Sequence, residues 1–216
     1  MTPQKRLFDV VLALFVGVVY LPVLAVLAVV IVATDGWPVF YVSERISSGK
    51  RAFNLVKLRT MRLAPKGDDR GVSGGDKNDR ITAMGRFLRK TRFDEFPQIW
   101  NVLRGDMSLV GPRPPLRQYV DAFPDLYASV LKSRPGITGL ATVVFHRHEE
   151  LLLRNSKSLA ETDRIYRERC VPRKARLDMI YQANSGVLCD LWIIYLTLAR
   201  LFPLPGKRAA RLRRRR

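Results

Sequence analysis

Carboxylates are scarce in this chain: 19 Asp and Glu stand against 38 Lys and Arg over 216 residues, a net charge of +19 at pH 7. With 47% hydrophobic residues, that imbalance excludes both a disordered chain and an ordinary neutral cytosolic enzyme. A polyanion belongs nearby. Cysteine is almost missing. Cys170 and Cys189 have no CxxC spacing, which excludes a disulfide scaffold and a zinc ribbon and suits reduced thiols in the cytosol. His146 and His148 are the two histidines, with Glu149 beside them. No HExxH motif and no third ligand at helical spacing accompany them, so zinc is not expected. Walker A and GxGxxG loops are absent too, and phosphate chemistry here needs another architecture. The length, about one and a half typical domains, fits one compact unit plus something extra.

What is abundant is apolar sequence at the N-terminus. Val10 to Ala33 is a run of 24 residues without a charge, which as a helix at about 1.5 Å per residue exceeds a bilayer core of roughly 30 Å. It is too long for a signal-peptide core, and so basic a body is a poor export cargo, which argues against secretion. Lys5 and Arg6 precede the run and Arg45, Lys50 and Arg51 follow it, so both flanks favour the cytoplasm. Pro22 removes one helical hydrogen bond mid-run and predicts a sharp bend. The helix either re-enters and leaves on one face or spans with a mild kink.

A second membrane signal lies at the other end. Leu188, Leu191, Trp192, Tyr195, Leu196, Ala199 and Phe202 recur at helical spacing, either as an interfacial helix or as a core-packed one. After Pro203 and Pro205, seven of the ten residues from Lys207 to Arg216 are basic. This reads as a disordered arm attracted to anionic lipid, although nucleic acid would attract it as well. The expected organisation is a membrane-inserted segment 1–35, a cytosolic domain 36–185 and an amphipathic helix with polybasic tail 186–216.

Between these ends, Asp35 to Pro38 reads as a turn, Val39 to Val42 and Ala52 to Leu58 as a small hairpin, and the Gly- and Asp-rich residues 64–80 as a mobile loop. Thr82 predicts an N-cap for a helix through Lys90 with Met84, Phe87 and Leu88 inward. Phe93 to Gly105 predicts a ten-residue helix with Asp94 as N-cap and Gly105 as left-handed stop. Asp94 and Glu95 either cap that helix or sit where its first N–H groups, reinforced by Arg89 and Arg92, receive phosphate. Three prolines stiffen Gly111 to Pro115 around Arg113. In the turn-rich stretch Arg134 to Gly139, Gly136 and Gly139 would let backbone approach a ligand.

These segments carry a resemblance. Lys5-Arg6-Leu7-Phe8-Asp9, the proline-interrupted apolar run, Phe53 to Met61, Asp79-Arg80-Ile81-Thr82, Arg89 to Gln98, Asn101 to Pro114 and Pro135 to Gly139 come in the order found in bacterial sugar transferases, the monotopic phosphoglycosyl transferases. The chain resembles that family nearly throughout, to about residue 200. The resemblance implies a mainly α fold with a small β-hairpin, an N-terminal re-entrant helix and amphipathic interfacial helices on the cytoplasmic face of a bacterial inner membrane. It implies transfer of a sugar 1-phosphate from a UDP-sugar to undecaprenyl phosphate with release of UMP, initiating glycoconjugate or exopolysaccharide synthesis. By that resemblance Asp94 is the nucleophile forming a phosphosugar adduct, Glu95 assists, and Mg²⁺, met by Asp94, neutralises the diphosphate. Substrate contacts are carried over to Lys57, Arg59, Arg80, Arg89, Pro112, Arg113, Pro114, Gly136, Thr138, Gly139 and Arg147, and membrane placement to Lys5, Arg6 and Pro22. Anionic lipid is an implied partner, nucleic acid is not, and a homodimer is compatible.

The chain departs from the family pattern twice. Leu21 replaces the serine common before the central proline, and the usual arginine after the Pro-Gly-Ile-Thr-Gly run is His146, with Arg147 one residue on. The competing reading is a non-catalytic, membrane-tethered protein that binds nucleic acid or anionic lipid by charge. Asp94 and Glu95 set between Arg89 and Arg113 speak against it, since a simple polyanion binder has no use for carboxylates amid its arginines.

Overall fold

The computed structural model describes residues 1–63, 72 and 74–201. The polybasic arm, Phe202 and most of the expected 64–80 loop lie outside these residues. Its last part, Gly75–Arg80, is a 3₁₀ helix.

Helix α1 runs from Pro3 to Asp35 and continues through Pro22. Thr2 caps it by accepting the Lys5 amide at 3.3 Å, and Gly36 ends it with φ at 76°. Ala13, Tyr20, Leu27 and Ile31 are buried at spacings of seven, seven and four, while Val11, Leu14, Phe15, Val18, Val19, Val26 and Val29 face outward. One stripe packs and the rest is bare hydrocarbon. The helix is long and apolar enough to cross a membrane.

Its N-terminal end, middle and C-terminal end all touch the same body. Lys5 donates to Asp190 and, at 3.2 Å, to the Val110 carbonyl. Arg6 donates to the Val102 and Leu103 carbonyls at 2.6 and 2.8 Å. At the far end Thr82 donates to Asp35 at 2.7 Å, and Arg59 donates to the carbonyls of Asp35, Gly36 and Pro38. These bonds satisfy helix-end groups that would otherwise lack partners.

Strands β1 (Phe40–Ile46) and β2 (Ala52–Leu58) form the expected hairpin, with Phe40 opposite Leu58 and Ile46 opposite Ala52. β1 runs four residues beyond its expected end at Val42. Helix α2 (Ala83–Thr91) begins at Thr82, whose hydroxyl accepts the Gly85 amide at 2.9 Å. Leu88 is fully buried but Phe87 is 49% exposed, so Phe87 does not face inward as its spacing predicts.

The expected ten-residue helix from Asp94 is instead two pieces, a 3₁₀ turn Phe93–Gln98 and helix α3 (Ile99–Arg104). Pro97 has no amide to give the Phe93 carbonyl, which accepts the Tyr20 hydroxyl at 3.1 Å instead. Asp94 is therefore not the N-cap. Arg92, left-handed at φ 62°, ends α2 and begins the turn.

Strands β3 (Ser108–Val110) and β4 (Gly136–Thr138) pair in parallel, where the sequence predicts only loop. Helices α4 (Arg117–Ala122), α5 (Pro124–Val130), α6 (Leu140–Leu153), α7 (Leu159–Ile165), a π-helical stretch Tyr166–Cys170 and α8 (Val171–Ala183) complete the body. Helix α9 (Val187–Leu201) buries Asp190 and Ile193, with Leu196 packed inward, while Leu188, Leu191, Trp192, Tyr195 and Leu198 stay exposed. Most of the predicted stripe is thus an outward apolar face, like that of α1.

Candidate active site

The side chains that carry the chemistry converge from distant segments on one open cleft of about 760 Å³. Lys57 comes from β2, Arg89 from α2, Asp94 and Glu95 from the 3₁₀ turn and Arg113 from the proline-stiffened loop. His146, Arg147 and Glu149 come from α6, Tyr166 from the π stretch, and Lys174 and Asp178 from α8. Among the described residues, twelve Lys and Arg side chains against five carboxylates line it, a surplus that suits a polyphosphate rather than a neutral ligand.

The turn carrying Asp94 and Glu95 is held from behind. Phe96 stacks on Tyr20 of α1 with ring centroids 4.1 Å apart, and Phe93 lies 6.0 Å from the same ring. The sequence Phe93-Asp94-Glu95-Phe96 thus puts two aromatic anchors against the apolar helix and two carboxylates into the cleft. Both acids are nearly buried, at 6% and 7% exposure.

Their surroundings differ. Glu95 accepts from Arg113 at 2.6 Å and Arg92 at 3.1 Å. Burial would raise its carboxyl, but the charges of Arg113 and Arg92 prevail and hold it well below the ordinary value. Asp94 has an oxygen, Oδ1, without a hydrogen-bond partner among the described residues. Burial, then the Glu95 charge, raise its carboxyl, while Lys57, Arg92 and Arg89 pull the other way. Adjacent carboxylates with pKa values driven apart mark a division of labour. Glu95 is a fixed anion that orders two guanidinium groups. Asp94 offers a buried, unpaired oxygen, which is costly unless something fills the place.

The first 203 residues match the bacterial sugar transferase family. The chain belongs to that family. It is 36% identical over 203 residues to a UDP-glucose:undecaprenyl-phosphate glucose-1-phosphate transferase of Caulobacter vibrioides, covering 92% of this chain and 69% of that protein. It is 37% identical over 210 residues to a UDP-N-acetylgalactosamine-undecaprenyl-phosphate N-acetylgalactosaminephosphotransferase of Aeromonas hydrophila, covering 94% of this chain and 45% of that one. The exopolysaccharide production protein ExoY of Rhizobium meliloti is 30% identical over 210 residues, 90% of this chain and 83% of its own. The chain thus spans less than half of some curated relatives it matches.

Several substrate contacts carried over to this sugar transferase chain by resemblance do line the cleft: Lys57, Arg80, Arg89, Arg113, Pro114 and Arg147. Arg89 also donates to Thr60 at 2.9 Å, and burial lowers its pKa. Lys57 is lowered to about 8, chiefly by burial, with Asp94 opposing the fall. Arg59 reaches the same wall, but its guanidinium is occupied by the three carbonyls after α1. It fastens the end of α1 to the body.

Four expected contacts lie elsewhere. Pro112 is buried and its carbonyl accepts the Gly136 amide at 2.8 Å. A Cβ on Gly136 would stand 2.1 Å from the Gly111 amide nitrogen, and one on Gly139 2.0 Å from the Gly111 carbonyl. The close approach at both glycines is to the backbone of Gly111. Thr138 exchanges a hydroxyl hydrogen bond of 2.8 Å with Thr197 of α9.

His146 lines the cleft. Burial, then Arg92 and Arg113, lower its pKa to about 4, so it stays neutral near pH 7. Sequence reasoning missed Tyr127, Tyr166, Lys174 and Asp178 in the cleft wall. The available signal was spacing: Val171, Ala175, Asp178 and Tyr181 are the buried stripe of α8, and a carboxylate in such a stripe is rarely idle.

Proposed function

We propose that this protein transfers a sugar 1-phosphate from a UDP-sugar to undecaprenyl phosphate at the cytoplasmic face of a bacterial inner membrane. The observation that carries the proposal is the buried Asp94 carboxylate, with one oxygen unpaired, inside a cleft lined by cations. The printed activities of the Caulobacter and Aeromonas relatives support the same reaction class.

In this reading Asp94 attacks the phosphorus that bears the sugar. The bond from that phosphorus to the bridging oxygen breaks, and UMP leaves with the electron pair. A phosphate oxygen of the lipid then attacks the same phosphorus and frees Asp94, leaving a polyprenyl diphosphate sugar. Repulsion between a carboxylate and a diphosphate must be offset by cations at the developing charge. Arg113 and Arg92 are oriented for this by Glu95, each keeping donors beyond those Glu95 uses. Mg²⁺ fits the donor set: it commonly binds through one or two carboxylates plus substrate phosphates, and Asp94 Oδ1 lacks a partner among the described residues. Asp94 would hold it, and the ion would supply further charge neutralisation at the diphosphate.

Membrane association follows from the outward apolar faces of α1 and α9. For α1 we favour a re-entrant placement, supported by both of its ends being tied to one body. A helix lodged in the acyl boundary behind the catalytic turn would bring Asp94 near the acceptor's phosphate.

The direct test is mass spectrometry of enzyme with UDP-sugar and no lipid. The protein should gain one phosphosugar and release UMP, and Asp94→Asn should do neither. Wild-type turnover in Asp94→Asn would refute the assignment, and anion binding without any UMP from a panel of UDP-sugars would favour the polyanion-binding alternative. Cysteines at Thr2 and Gly36 should be labelled from the cytoplasmic side only, and labelling of position 2 from outside would refute re-entry.

A further inference from the structure

The part of the cleft around Lys174 has a different character. Its wall is made by Tyr127 of α5, Glu149 of α6, Tyr166 of the π stretch, and Lys174 and Asp178 of α8. Cationic surplus ends here. Lys174 is neutralised by Glu149 at 2.9 and 3.1 Å and also donates to the Tyr166 hydroxyl at 3.2 Å. Asp178 is only 6% exposed, and its Oδ1 has no hydrogen-bond partner among the described residues. Burial, opposed by Lys174, raises its carboxyl to about 7.

A buried acceptor left unmet on a cavity wall calls for a ligand that donates. Phosphate cannot, because it adds only acceptors and negative charge. A flat base would need an open aromatic face, and Tyr119, Tyr127 and Tyr166 are all buried. Lys174 lies over Tyr166 at 5.0 Å, Tyr119 packs against Tyr166 at 4.7 Å, and Arg167 lies over Tyr119 at 5.6 Å. What this part of the wall holds is a buried carboxyl group and phenolic hydroxyls, which match the alternating donors and acceptors of sugar hydroxyls.

We infer that this recess, with Asp178 as its central acceptor and Tyr127 beside it, receives the hydroxyls of the donor's sugar and sets which sugar is transferred. The inference rests on the donor being a UDP-sugar. A chain of contacts links the two places: Glu95 accepts from Arg113 at 2.6 Å, Arg113 interacts electrostatically with Glu149, Glu149 accepts from Lys174 at 2.9 Å, and Lys174 interacts electrostatically with Asp178. A sugar attached to the attacked phosphorus can extend in that direction while the leaving UMP extends away. Asp178 is then a specificity residue and takes no part in bond making.

The test compares Asp178→Asn and Tyr127→Phe with wild type in detergent. kcat/KM is measured for a panel of UDP-sugars differing in one hydroxyl, and dissociation constants are measured for UDP-sugar and UMP. Tyr127→Phe keeps the ring and removes one hydroxyl, so it serves if Asp178→Asn fails to fold. The preferred UDP-sugar should lose about ten- to a hundredfold in kcat/KM, the value of one buried charged hydrogen bond, and the ranking of sugars should flatten. UMP affinity should stay within about twofold, well under that same range. Equal losses for UMP and UDP-sugar would overturn the inference in favour of a base site. An unchanged ranking in both variants, with wild-type turnover intact, would also overturn it. Absence of UMP release from wild type with every donor would instead refute the proposed function.

Discussion

Lys5→Met is the most informative single change outside the cleft. Lys5 bridges Asp190, Asp9 at 3.9 Å and the Val110 carbonyl, joining the start of α1 to α9 and β3. Asp190 and Asp9 have no exposed surface. Taking the ammonium away deprives two buried carboxylates of their shared ion-pair partner, and breaking a buried pair costs about 3–5 kcal/mol, roughly a hundredfold to several thousandfold in the folding constant. Asp190 keeps the Tyr181 hydroxyl at 2.6 Å, which places the expected loss toward the lower end. The double change Lys5→Met/Asp190→Leu should recover much of it, because the Tyr181 hydroxyl still reaches the Val110 carbonyl at 3.1 Å and leaves neither orphaned. Recovery stays incomplete, since Asp9 keeps the Leu109 amide at 3.2 Å but not the cation. Reversible denaturation in detergent of wild type, both single variants and the double completes the cycle. Additive losses would refute a coupled latch and leave Lys5 as an ordinary flanking charge.

Glu95→Gln should lower kcat/KM by roughly a hundredfold, because Arg92 and Arg113 lose the anion that orders them; unchanged steady-state kinetics would contradict this. Lys57, lowered to about 8 by burial, is cationic below that pH, so donor KM should rise as pH passes 8 and Lys57→Met should abolish the inflection. Its pKa is depressed on folding, so over the window from 8 up to the ordinary lysine value the unfolded chain holds more protons and stability rises with pH. Affinity and stability should therefore move in opposite directions, seen by kinetics and melting on the same samples. Gly136→Ala should cost about 3 kcal/mol, because its Cβ meets the Gly111 amide nitrogen at 2.1 Å and backbone must shift; a wild-type melting temperature would disprove that packing.

Local patterns carried much of this protein. The apolar run of α1, the hairpin strand Ala52–Leu58, the Thr82 cap and the Gly105 stop depend on neighbours within a few residues, and each was legible without a fold. The Asp94-Glu95 pair between arginines was legible too, since carboxylates amid cations are informative wherever they occur. Arg59 and Gly136 look like ligand contacts by residue type alone. Whether a guanidinium meets a phosphate or a helix end, and whether a glycine faces a substrate or a strand, depends on what the chain brings opposite it.

Sequence by itself determined the charge, the membrane-seeking segments and the chemical identity of the nucleophile candidate. Only the tertiary structure decided which face of α1 is bare. It also split the Phe93–Gly105 segment at Pro97 and turned Arg92 left-handed, moving Asp94 from a cap into a cleft. It built the recess around Asp178 from α5, α6, the π stretch and α8. The physical reason is range: hydrophobic periodicity, caps and turns are set by adjacent residues, whereas the burial and pairing of a charge are set by groups distant in the chain, such as Lys5 and Asp190.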